Sequence, residues 1–136
     1  MSSNPGLIRP FQAVAGIVAL LVFVQAILAG QFLTGGENLV DIHEIVGNVI
    51  FLGAAVQLAL AYLTRDFWRY RMVIWSVVIL ALVVSQIGLG YVGREELDAR
   101  AIHVPLGVFL FSLTSIVAML SAMDERAKDA LRGPAP

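Results

Sequence analysis

The stretch His43-Glu-Ile-Val-Gly47 opens one apolar segment of the chain, and His103-Val-Pro-Leu-Gly107 opens another. These are the only two histidines among 136 residues. Gln25 stands eighteen residues before the first and Gln86 seventeen before the second, each in the preceding apolar segment. Phe51 and Phe111 each follow their histidine by eight. The pattern reads as a tandem two-helix repeat with one histidine per copy, suited to holding one cofactor between two equivalent ligands.

Working outward, the chain is 59% hydrophobic and only 14% charged. Soluble domains carry about a quarter charged residues, so lipid is the expected solvent. Four apolar stretches, at about 12–34, 43–64, 72–92 and 101–123, reach the roughly 20 residues that a membrane-crossing helix needs. Short connections make an up-down-up-down arrangement the simplest solution. The sequence thus predicts an all-α integral membrane four-helix bundle, one domain over residues 1–136, with a tail from Asp124 to Pro136 read as a solvated helical extension. The N-terminal segment resembles a signal peptide, with Ala26 and Ala29 near a cleavage-like position. Its apolar core exceeds the usual ~7–15 residues, and Gln25 has a counterpart in Gln86, so it is read as an uncleaved first span.

The formal net charge of −1 gives no electrostatic case for nucleic acid as a partner. With no cysteine, disulfides, thiolate metal sites and covalent c-type haem attachment are excluded. Arg9, Arg65, Arg69, Arg71, Arg126, Lys128 and Arg132 fall on one side of the expected spans, and only Arg94 and Arg100 on the other. The excess of basic residues predicts a multi-pass protein of the cell (inner) membrane with both termini cytoplasmic. Tyr62, Phe67, Trp68, Tyr70 and Trp75 are expected to form an interfacial aromatic belt.

In such a bundle, spans two and four run the same way and lie diagonally opposite. His43 and His103 then share one depth near the exoplasmic helix ends and can face each other across the core. Two neutral imidazoles on opposite faces of a flat macrocycle are what bis-histidine haem ligation requires. Gly47 and Gly107 lie one turn below the histidines on the same faces, where a side chain would intrude on such a ring. Close helix packing is the plain alternative for both glycines. Arg100, three residues before His103, is placed to meet a haem propionate, with Arg94 assisting, although loop ion pairs would also account for both arginines. Gln25 and Gln86 are interior polar groups, read as interhelical hydrogen bonders or as cofactor-facing. Zinc is disfavoured, because only Asp41, Glu44 and loop carboxylates could complete its shell. The competing readings of the histidines are interfacial polar residues, bundle contacts or proton-transfer groups. Pro105 either occupies the first turn of the fourth span or lies inside it, and the sequence leaves this open.

The stretches Gln86-Ile-Gly-Leu-Gly90 followed by Ala101-Ile-His103, and Gln25 to Gly36 followed by His43, resemble one four-helix half of haem A synthase. The resemblance runs from about Gln12 to Met123. It implies a haem b cofactor with His43 and His103 as axial ligands. That family sets two such bundles side by side and often carries a loop cysteine pair; here there is one bundle and no cysteine.

Three functional classes follow. The leading one is a membrane b-type haem protein in electron transfer or haem handling. The others are an accessory or assembly subunit of a membrane complex, and a haem-modifying enzyme active as a homodimer. Small-residue pairs at Ala15-x3-Ala19, Ala26-x3-Gly30 and Ala55-x3-Ala59 favour a homodimer, with a larger membrane complex as the alternative assembly.

Overall fold

Asn4 starts the first helical turn. Its side-chain oxygen accepts from the Gly6 N–H at 2.9 Å, and Pro5 sits where a missing N–H costs nothing. The computed structural model describes residues 4–35, 39–124, 129 and 132, the side chains of residues 32 and 33 excepted. The helical extension expected for the tail lies largely outside the described residues. A 3-10 turn, Pro5–Leu7, leads into α1, Ile8–Leu33; α2 spans Leu39–Leu63, the short α3 Arg65–Trp68, α4 Arg71–Val92 and α5 Leu97–Met123. Four of these helices are long and apolar enough to cross a membrane, the build of a multi-pass membrane protein.

Local chemistry sets the boundaries. The Thr34 hydroxyl donates to the carbonyls of Gly30 and Gln31, and Gly35 takes φ +117°, a conformation that a side chain disfavours. Asp41 complements the dipole in the first turn of α2. Between α3 and α4, Arg69 and Tyr70 both adopt left-handed backbone angles and reverse the chain. α5 starts four residues before its expected position, so Pro105 lies inside the helix rather than in its first turn. Having no N–H, Pro105 cannot donate to the Ala101 carbonyl.

α1 packs against α2 and α5, and α4 against the same two, which leaves α2 and α5 on a diagonal. Cross-helix bonds pin the contacts: Gln12 Nε2 donates to the Ser121 carbonyl at 2.8 Å, and Gln57 Nε2 to Ser76 Oγ at 3.3 Å. Lone hydroxyls bond back into their own helices, as Thr114 does to Leu110 at 2.9 Å.

The core fills one half of the bundle. At the Trp68 end, Ile8, Phe11, Ala61, Trp68 and Met72 are buried, followed inward by Val18, Ala54, Ile79 and Val117. Trp68 belongs to this core rather than to an aromatic belt. Its ring lies 5.6 Å from that of Phe11, and its indole N–H donates to the Thr64 hydroxyl at 2.9 Å. Burial is affordable only because that N–H is satisfied. Tyr62, Tyr70 and Trp75 stay exposed, as belt residues would. Apart from Gly93 and Ala99, buried where α4 meets the start of α5, the buried set stops at one level on all four long helices, marked by Val22, Ile50, Val83 and Leu110. Beyond it, towards the histidines, the bundle is hollow.

Ala15 and Ala19 are buried inside the bundle. Ala26 and Gly30 line the hollow. Only the pair at Ala55 and Ala59 is left on a partly open helix face.

Candidate functional site

The hollow is a cavity of about 820 Å3, floored by Val22, Ile50, Val83 and Leu110 and walled by Gln25, His43, Gln86 and His103. Its size and mixed lining suit a small-molecule or cofactor site, commonly about 300–1,000 Å3.

His43 sits on the second turn of α2 and His103 on the second turn of α5, so both project from within their helices and not from the ends. Their ring centroids are 6.3 Å apart, with planes inclined at 58°. Metal–imidazole nitrogen bonds of about 2 Å on each side of one atom put two such centroids roughly 6 Å apart. The observed centroid spacing is of that size. No cluster of three or more His, Cys, Asp or Glu suited to a metal occurs among the described residues. A bare ion would lack ligands here, whereas a tetrapyrrole brings four nitrogens of its own and needs only two axial partners.

Each histidine is held by the same contact. Gln25 Nε2 donates to the His43 carbonyl at 2.9 Å, and Gln86 Nε2 to the His103 carbonyl at 3.1 Å. The glycines one turn on explain how these amides fit. A Cβ on Gly47 would stand 3.1 Å from Gln25 Nε2, and one on Gly107 2.8 Å from Gln86 Nε2. Absence of a side chain thus admits the neighbouring helix's glutamine, a role not assigned from sequence, where the glycines were set beneath a ring or in helix packing. Gly90 does a similar service for the imidazole of His103, whose Cε1 would lie 3.3 Å from a Cβ there. The side-chain oxygens of Gln25 and Gln86 and Nδ1 of His103 are buried without a hydrogen-bond partner in the protein. Buried polar atoms are rarely left so, and their concentration around one cavity marks it as a site.

The mouth carries charge. Arg100 donates through Nε to the Gly93 carbonyl at 2.9 Å, which ties the start of α5 to the end of α4. Glu44 accepts from the Tyr91 hydroxyl at 2.6 Å and pairs with Arg94 at 2.6 Å, and the Arg94 guanidinium lies 5.0 Å from the Tyr91 ring centroid. All five residues line the cavity. Arg94 pairs with Glu44 of α2, not with its loop neighbours. Sequence reading passed over this bridge because its partners lie about fifty residues apart with no local pattern to join them. The floor was missed too, although a signal existed: Val22 and Val83 each precede a glutamine by three, and Ile50 and Leu110 each follow a histidine by seven.

Comparison with models of known families, with curated proteins and with solved structures returns no match.

Proposed function

We propose that the protein is a membrane b-type haem-binding protein, with His43 and His103 as axial ligands, serving electron transfer or haem handling. The observation that carries this is the pair of imidazoles 6.3 Å apart across one cavity. Haem supplies reversible one-electron chemistry when bound, and the protein sets its ligands, burial and access. Gln25 and Gln86 fix the main chain that bears each imidazole. Val22, Ile50, Val83 and Leu110 close the site against water from below. Arg100 keeps N–H groups for an anionic carboxylate at the mouth, and Arg94 adds positive charge beside it.

The fold under this reading is an up-down-up-down bundle built from a tandem two-helix repeat. The balance of arginines puts both termini in the cytoplasm and the cavity in the outer half of the cell membrane. The half-open face at Ala55 and Ala59 is the surface for a homodimer.

Protein purified in mild detergent and loaded with haem b tests the reading. Reduced samples should show the sharp, split visible bands of six-coordinate low-spin haem, near one haem per chain. His43→Ala and His103→Ala should each lose a ligand and weaken retention. Full occupancy with an unchanged low-spin spectrum in both variants would overturn the assignment.

A further inference from the structure

The matched offsets in the two halves make the seams α1–α5 and α2–α4 comparable. Aligning the copies on their glutamines and histidines pairs Ala26 with Ile87, Gly30 with Tyr91, Glu44 with Val104 and Asn48 with Val108. All eight residues line the cavity. The seam between α2 and α4 thus carries Glu44 and Asn48 against Ile87 and Tyr91, and the bonds from Tyr91 and Arg94 to Glu44 fasten it. The equivalent seam between α1 and α5 carries Ala26 and Gly30 against Val104 and Val108. No hydrogen bond or ion pair crosses it at these four positions, whose side chains have none to offer.

Size and polarity both differ. Val104 is 49% exposed and Val108 62%, and Ala26 and Gly30 are exposed as well. A Cβ on Gly30 would meet nothing within 4 Å. One turn further in, Phe23 and Phe111 stack 5.5 Å apart across the same two helices and shut the seam below. What remains is an apolar opening bounded by small residues at the level of the histidines, leading from the lipid-facing surface into the cavity.

We infer that the cavity is loaded from the lipid phase, through the α1–α5 seam, by a flat apolar ligand that slides between Ala26 and Gly30 on one side and Val104 and Val108 on the other. The identity of the ligand as a porphyrin rests on the haem reading; the route rests on the difference between the seams. The fastened α2–α4 seam is the closed counterpart. A ligand with an apolar face and an anionic edge would enter ring first and leave its edge near Arg100.

Uptake kinetics in lipid vesicles test the route. Metal-free protoporphyrin IX, which needs no axial ligand, is followed by energy transfer from the protein's tryptophans, and haem b by its absorbance. Each is supplied either dissolved in the vesicle bilayer or bound to albumin in the water. Wild type should fill faster from the bilayer. Gly30→Trp and Val108→Trp, one on each side of the seam and followed by haem absorbance because each adds a tryptophan, should slow bilayer uptake several-fold. Ile87→Trp on the fastened seam should slow it far less, and Gly30→Leu guards against a folding defect of the larger residue. Equal slowing by Ile87→Trp, or no slowing by either α1–α5 variant, overturns the route while the haem reading stands. Faster filling from albumin overturns it too, whether because water delivers the ligand or because a second copy covers the seam. Protoporphyrin uptake through the seam without a low-spin haem spectrum would support the route and sink the bis-histidine assignment. Failure of wild type to take up either compound overturns both.

Discussion

The side-chain amide of Gln86 donates to the main-chain carbonyl of His103 at 3.1 Å, across the gap left by Gly107. Gln25, His43 and Gly47 make the same three-part contact at the other histidine. The glutamine does not touch the imidazole through this bond. It holds the backbone from which the imidazole projects, and it can do so only where the receiving helix carries no Cβ.

Gly107→Ala should therefore displace the Gln86 amide, since the new methyl would lie 2.8 Å from Nε2. The cost should be about 1–3 kcal/mol, combining overpacking with loss of a bond. Gly47→Ala should cost less, because its contact is 3.1 Å. Adding Gln86→Ala to Gly107→Ala should recover part of the loss. Unfolding of all four members of the cycle in one detergent would read the coupling, and strict additivity would show that the two residues do not meet.

Gly90→Val should disturb His103 directly, because even a Cβ there would come within 3.3 Å of its Cε1. The residue at the same offset from Gln25 is already Ala29, so Ala29→Gly should be nearly silent. The expected result is haem lost or high-spin in Gly90→Val and unchanged in Ala29→Gly. Identical spectra from both would remove Gly90 from the site.

Trp68→Ala should destabilise the fold by about 3–5 kcal/mol, the range for deleting a large buried aromatic. It strips the partner of Phe11 and leaves the Thr64 hydroxyl without its donor. The lesion lies at the packed end, so surviving folded protein should bind haem with wild-type affinity. Thermal unfolding and a haem titration on the same sample separate the two effects.

Reporter fusions should place the segment from Gly93 to Arg100 outside the cell membrane and the segment from Thr64 to Arg71 inside. The reverse pattern would invert the sidedness of the cavity and leave its ligands untouched.

Much of this site was legible because it is written twice. A histidine, a glutamine and a glycine recurring at matched offsets in apolar segments converge once helices pack at the level of the histidines. Helix existence was legible for a similar reason: long apolar stretches have few alternatives in lipid. Trp68 was misplaced because composition reads a tryptophan near a loop as interfacial, while the deciding fact is a hydroxyl at Thr64 that satisfies its N–H. The bridge from Glu44 to Arg94 left no trace, since its geometry depends on how α2 and α4 meet. The use of Gly47 and Gly107 was hidden because a glycine shows what is absent, not which neighbour moves in.

The level set by Val22, Ile50, Val83 and Leu110 should divide the molecule's stability as it divides its packing. Below it, packed side chains hold the helices together with no help from any ligand. Above it, the helices are joined mainly by two glutamine bonds and the polar ties at the mouth. Amide exchange in the ligand-free protein should then be fast in the upper turns and slow in the lower ones, with a boundary near these four residues. A bound ligand adds free energy to the upper half alone, rising with its concentration over its dissociation constant. On the haem reading, the chain could be inserted, folded and kept empty until haem arrives, because the half that is packed is not the half proposed to bind.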